Sequence, residues 1–119
     1  MEKMKEMLVK EGSAYLGAKV YFREDWECEY FDVAGKYFAM IGANNDGTVV
    51  LTIKGKPEEN ELMREQYSFV IPGYYSNKTH WNSIVMKDST FTEQEYKNLL
   101  KNSYDLVVAK LPKKVRDNF

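Results

Sequence analysis

The chain of 119 residues holds one cysteine, one histidine and three prolines. With Cys28 alone there is no internal disulfide. Cys28 and His80 together also fall short of a structural zinc site, which takes four N or S ligands. No stretch approaches the roughly 18 apolar residues of a membrane span, so no membrane partner is expected. Charge of one sign is scarce as well: 17 Lys and Arg stand against 18 Asp and Glu, for a net charge of −1. A pI near 5.9 argues against indiscriminate nucleic-acid binding, which needs a dominant positive field. The opening MEKMKEMLVKEG is charged throughout and lacks the apolar core of a signal peptide. A reducing, cytoplasmic setting is the expectation, and there the Asn77-Lys78-Thr79 sequon carries no meaning. GxGxxG, GxSxG and DxDxDG motifs are missing too.

What the chain does have is aromatic content: nine Tyr, six Phe and two Trp make up 14% of it. Such side chains sit well on pleated surfaces and point to a β-rich or mixed fold. The length predicts a single domain over 1–119, large enough to bury a core unaided. Charge is unevenly spread. Residues 1–72 carry nine Lys/Arg against thirteen Asp/Glu, whereas residues 73–119 carry eight against five. A local basic patch in the C-terminal third is compatible with the low pI.

The order of elements follows from periodicity. Met4, Met7, Leu8 and Tyr15 fall near one helical face, predicting a helix over 2–16, weakened by Gly12 and ended by Gly17. From Trp26 the period becomes two, and WECEYFDV reads as a strand. Ala34-Gly35 turns into a second strand, KYFAMIGA. Asn44-Asn45-Asp46-Gly47 is a hairpin signal leading into a third, TVVLTIK. GKPEENELMREQY reads as a helix, with Pro57 at its first position and glutamates complementing the dipole. SFVIPG and HWNSIVM are the fourth and fifth strands. Thr92 and Glu95 fit a capping box that opens a helix striped by Tyr96, Leu99 and Leu100. SYDLVVAKL continues as a further helical segment, stopped by Pro112. The fold class expected is α+β, a two-layer α-β(3)-α-β(2)-α domain with helices on one face of one antiparallel sheet.

Each candidate for chemistry has a bland counterpart. Tyr74 and Lys78 have the YxxxK spacing that lowers a tyrosine's pKa in short-chain dehydrogenases, yet the dinucleotide-binding βαβ unit is missing. His80 could serve as a general base, oriented by a carboxylate such as Asp105. A lone histidine beside a tryptophan at a strand start is more often structural. Glu24, Asp25, Glu27, Glu29 and Asp32 could gather a hard cation, but strand alternation splits them between two faces. A solvated sheet edge is the favoured reading. In KLPKKVR, the residues Lys110, Lys113, Lys114 and Arg116 could pair with phosphates, or simply meet a helix C-terminus and solvent. With Lys78, Tyr74, Tyr75 and Trp81 they could build the basic and aromatic surface that single-stranded or distorted nucleic acid needs.

PGYYSNKTHWNSIVM (72–86) followed by SYDLVVAKLPKK (103–114) resembles the MmcQ/YjbR family of small bacterial proteins. So do Gly35-Lys36 with Phe38-Ala39 and the Lys-Gly-Lys-Pro-Glu approach to the second helix. The resemblance spans about residues 30–116. It implies a fold akin to type III secretion chaperones and, more loosely, to frataxin-like CyaY. The family has no established enzymatic activity, and DNA binding through a "double wing" of hairpins is the role suggested for it; no cofactor and no metal are expected. The family's recurrent positions fall on Pro72, Gly73, Tyr74, Lys78, His80, Trp81 and Asn82, then on Ser103, Tyr104, Asp105, Lys110, Leu111, Pro112 and Lys113. The resulting expectation is a non-enzymatic domain with DNA as partner. Tyr74, Lys78, His80, Lys110, Lys113, Lys114 and Arg116 would form the nucleic-acid surface, with the Asn44–Gly47 tip and the 74–80 turn as wings. The alternatives are a protein-binding adaptor of chaperone-like fold and a small-ligand site at Tyr74, Lys78, His80 and Trp81. Oligomeric state stays open.

Overall fold

A computed structural model describes residues 1–73 and 76–119. Its elements run α1 (Glu2–Ser13), β1 (Ala18–Arg23), β2 (Cys28–Val33), β3 (Lys36–Ala43), β4 (Val49–Lys54), α2 (Pro57–Gln66), β5 (Val70–Pro72), β6 (Trp81–Val85), α3 (Glu93–Ala109) and α4 (Lys113–Arg116). The strands form one antiparallel sheet in the order β1-β2-β3-β4-β6-β5. The expected two-layer α+β plan therefore holds, with six strands rather than five.

The additional strand is β1, over residues for which no element was predicted. Tyr21 and Phe22 are both exposed on it, so its sequence lacks the alternation that marks a half-buried strand. Its presence moves β2 from the edge to the interior. The acidic run is therefore not a solvated edge: Glu24, Asp25 and Glu27 lie in the β1–β2 turn, while Glu29 and Asp32 lie on an inner strand. Trp26 belongs to that turn rather than to the strand.

Helix α1 stops at Ser13, short of the predicted end at residue 16. Its last turn tightens, with the Ala14 and Tyr15 amides reaching back three residues to Glu11 and Gly12. Gly17, at φ +75°, then serves the turn into β1. Gly12 sits where α1 meets the sheet, and a Cβ there would lie 2.6 Å from the Phe31 ring. The Thr92 capping box forms as expected: Glu95 N–H donates to Thr92 Oγ1 at 3.1 Å, and Thr92 N–H to Glu95 Oε1 at 2.8 Å. The two predicted C-terminal helical segments are one continuous α3.

Between β2 and β3 the register slips. Phe31 pairs with Ala39 and Asp32 with Tyr37, so Phe38 is an extra residue. This β-bulge turns Phe38 to the helix side along with Ala39 and Ile41, where it meets Phe31, Tyr15 and Tyr104. The core there joins Leu8, Phe31, Phe38, Ile41, Leu51, Ile84, Leu100 and Tyr104. The other face of the sheet carries Cys28, Tyr30, Tyr37, Met40, Thr52, Trp81 and Ser83. Each follows from two-residue alternation and from the pairs Tyr30↔Met40, Met40↔Thr52 and Thr52↔Ser83.

Candidate nucleic-acid interface

Strand β4 ends at Lys54, whose strand partner is Trp81, the first residue of β6. One step on, the Gly55 amide donates to the His80 carbonyl at 3.0 Å. The end of β4 is thus bolted to the turn that carries Lys78 and His80. The turn is shaped by Asn77, whose Oδ1 accepts from the amides of Thr79 at 2.8 Å and His80 at 3.2 Å. Its outer side is held by Arg64 of α2, which donates to the Lys78 carbonyl at 3.1 Å and to Asn82 Oδ1 at 2.7 Å. Ser76 and Tyr37 share a hydroxyl–hydroxyl bond of 3.2 Å, tying the same turn to β3.

Lys54 is the residue that sequence reasoning missed. Its ammonium lies 5.9 Å from the centre of the Trp81 ring. Partial burial, and then the positive charge of Lys110, hold its pKa below lysine's ordinary 10.5. Among the described residues it has no ion pair. Lysines from distant parts of the chain thus bring like charge to the end of β4, one of them half-buried. The signal was present, because Lys54 ends an apolar strand and opens Lys-Gly-Lys-Pro. Its closeness to Lys110 depends on how α3 crosses β4.

The predicted candidates divide. Lys78 and His80 lie on the turn beside β4, and Lys110, at the end of α3, comes close enough to weigh on Lys54. Lys113 pairs with Asp117 at 2.8 Å on the exposed turn of α4, which also carries Lys114 and Arg116. Among the described residues no contact joins these three to the 76–80 turn. Tyr74 and Tyr75 lie outside the described residues, and so does the tyrosine half of the YxxxK spacing. The Asn44–Gly47 tip forms as predicted, with Asn44 Oδ1 accepting the Thr48 amide and Gly47 at φ +84°. It stands at the other end of β4 from Lys54, about 20 Å away at 3.3 Å per residue. The turn that shares the end with Lys54 and Lys78 is instead Ala34-Gly35, followed by exposed Lys36.

Many of the other recurrent positions have packing roles. Trp81 is buried against Tyr37, ring centres 4.8 Å apart. Gly73 passes so near it that a Cβ would come within 2.7 Å of the Trp81 Cβ. Asn82 is buried and donates to the Asn60 carbonyl. The Tyr104 hydroxyl donates to the Leu16 carbonyl. Asp105 pairs with Lys101 at 2.7 Å on the exposed side of α3, and so is engaged away from His80. Among the described residues no three His, Cys, Asp or Glu gather as a metal site would require, and no helix is long and apolar enough to cross a membrane.

The YjbR family model matches residues 14–106. The chain belongs to the YjbR family. It is 31% identical over 100 residues to the uncharacterized protein YjbR of Escherichia coli K12, covering 84% of this chain and 83% of that one. YbdF of E. coli O157:H7, also uncharacterized, is 31% identical over 88 residues, covering 74% of this chain and 70% of the relative. Among solved structures, the Deinococcus radiodurans protein DR2400, described as a DUF419 domain, superposes with a TM-score of 0.78 at 27% identity, over 93% of this chain and 83% of its own. The family match takes in β1 through most of α3, and so includes Lys54, Lys78 and His80 but stops short of Lys110.

Proposed function

We propose that the YjbR domain of this chain is a non-enzymatic DNA-binding module that grips phosphates with the end of the sheet where β4, the 76–80 turn and the C-terminus of α3 meet. The observation that carries this reading is the joining of the Lys54 end of β4, through the Gly55–His80 bond, to the turn that bears Lys78, with the charge of Lys110 near enough to weigh on Lys54. Two like charges, one partly removed from water and without a carboxylate partner among the described residues, are poised for an anion supplied from outside. Lys78 and Lys36 border the same end and extend the positive footprint. Lys113, Lys114 and Arg116 would add only long-range attraction. The cations described at this end are lysines, which suit phosphates rather than base edges, so affinity should depend little on sequence.

The non-enzymatic part of the reading is supported by how the reactive side chains are spent. Asp105 is engaged with Lys101, and burial raises the pKa of the Cys28 thiol and keeps it protonated. The test is an anisotropy titration of a labelled 20-mer duplex and its single strand at two salt concentrations. The reading expects binding at low salt that weakens steeply at the higher concentration. Absence of binding at low salt, or affinity indifferent to salt, would overturn it, since phosphate contacts release counterions.

A further inference from the structure

The sheet face that carries no helix holds a cavity of about 450 Å³, at the opposite end of β4 from the lysines. Its floor is made by Met40, Val50 and Thr52 with the buried Cys28, and Gly42 adds no side chain to it. Its wall is Trp26, an indole that is 48% exposed although it sits on a turn. That indole is fixed in place. The Arg23 guanidinium lies 4.3 Å from its ring centre and 4.8 Å from that of Tyr30. Asp25 grips the same guanidinium through two hydrogen bonds, of 3.1 and 2.6 Å. Tyr30 and Tyr37 meet the indole edge-on from the sheet, at 5.7 and 6.3 Å. An aromatic wall held on three sides is prepared for a ligand before the ligand arrives, which lowers the entropic cost of binding.

Charge selects the kind of ligand. Among the described residues no Lys or Arg lines the cavity, and Arg23, which packs on the indole, is already neutralised by Asp25. Glu27, which also lines the cavity, has no ion pair among the described residues, so the mouth is left negative. Glu27 is held at φ +49°, a conformation that costs a non-glycine residue about 1–2 kcal/mol. Asn or Gly would make this turn without that cost, and strain of this kind gathers at binding sites. Size fits as well, since small-molecule sites run from roughly 300 to 1,000 Å³.

We propose that this cavity is a binding site for a small flat aromatic or apolar molecule bearing one positive charge. The ring stacks on Trp26 over Met40 and Val50, and the ammonium faces Glu27. The site is independent of the phosphate-binding end, so either can fail without the other.

The test uses tryptamine as probe, with indole and indole-3-acetate as comparisons, and follows backbone amide shifts by NMR on the full chain. Tryptamine is expected to shift the residues of the 24–28 turn, Met40 and Thr52. Its affinity should exceed that of indole, with indole-3-acetate weakest. Glu27→Gln should bring tryptamine down to the level of indole, a loss of about fivefold for an exposed charge pair. Trp26→Ala should abolish binding of all three while thermal unfolding shows the domain still folded. Equal affinity for the ammonium and carboxylate probes would sink the proposal, as would tryptamine shifts that fall elsewhere. Retained affinity in Trp26→Ala would do the same. Duplex DNA affinity should be unchanged in both variants.

Discussion

The hydroxyl of Ser103, fully buried on α3, donates to the carbonyl of Phe38 at 2.5 Å and accepts the amide of Lys54 at 2.8 Å. The bulge at Phe38 takes a carbonyl out of the β2–β3 ladder, and β4 ends at Lys54. One serine thus satisfies both loose ends of the sheet and fixes α3 over them. Ser103→Ala leaves a donor and an acceptor unpaired, at about 1–3 kcal/mol each. The expected loss is about 2–4 kcal/mol, seen as a lower urea midpoint at unchanged slope. A loss under about 0.5 kcal/mol would show that water replaces the hydroxyl.

Gly12 sets two effects against each other. Alanine is the better helix former by about 1 kcal/mol at most, and less in a last turn. The new methyl would stand 2.6 Å from the ring of Phe31, which has no exposed surface and nowhere to move. Overpacking of this kind costs about 1–3 kcal/mol or more, so the contact should win. Gly12→Ala is expected to lower Tm, and Gly12→Ser to lower it further. A stabilised alanine variant would mean that α1 stands off the sheet.

How much of this could be read in advance depended on whether the signal was local. The β3–β4 hairpin, the Pro57 start and the Thr92 capping box each lie within a few residues, and all formed as read. Strand β1 was missed because Tyr21 and Phe22 blur its alternation, and its partner, β2, supplies the pattern that makes it a strand. The bulge at Phe38 left no trace in a run, KYFAMIGA, that reads as an ordinary strand. The same limit applied to the site. Lys78 and His80 stood out in a dense motif, whereas Lys54 gains its meaning from Lys110, 56 positions away. Trp26 drew notice only as a strand residue, because its clamp of Arg23 and Asp25 needs the β1–β2 turn to close.

Tyr15 offers a test in the opposite direction. Its hydroxyl is the single buried side-chain polar atom without a hydrogen-bond partner among the described residues. Burial first, and then the Glu11 carboxylate, push its pKa well above the ordinary 10.0. Removing an unsatisfied hydroxyl relieves a desolvation cost, so Tyr15→Phe should leave stability unchanged or raise it by about 1 kcal/mol. The pH dependence follows from the sign of the shift. Below pH 10 neither state ionises and the shift has no effect. Above it the unfolded tyrosine loses its proton first, and the folded state loses ground. Urea unfolding between pH 9 and 11 should therefore show a shallower alkaline decline for Tyr15→Phe than for the parent chain. Parallel declines would contradict a buried, protonated Tyr15.

Lys54 and Lys110 bring stability and binding into one experiment. Folding brings Lys54 partly out of water and next to a like charge, so its charged form is less favoured than in the unfolded chain. With a folded pKa below the unfolded one, the resulting destabilisation is fully present at neutral pH. It fades as pH rises through the folded pKa and is gone above about 10.5. Lys54→Met, which keeps the stem against Trp81, should therefore have a Tm no lower than the parent at pH 7, with the gap closing in alkali. The same variant should weaken DNA binding and reduce the slope of log affinity against log salt by about 0.9 for a lost phosphate contact. Lys110→Gln should do likewise, and the double variant should lose less than the sum, because the relief of their mutual repulsion on binding is lost in either single variant and can be lost only once. Lys113→Gln, which removes a cation already paired with Asp117, is the control and should change the slope far less than Lys54→Met. If Lys113→Gln lowers the slope while Lys54→Met does not, phosphate contact belongs to the C-terminal turn and the end of β4 is only a point of packing.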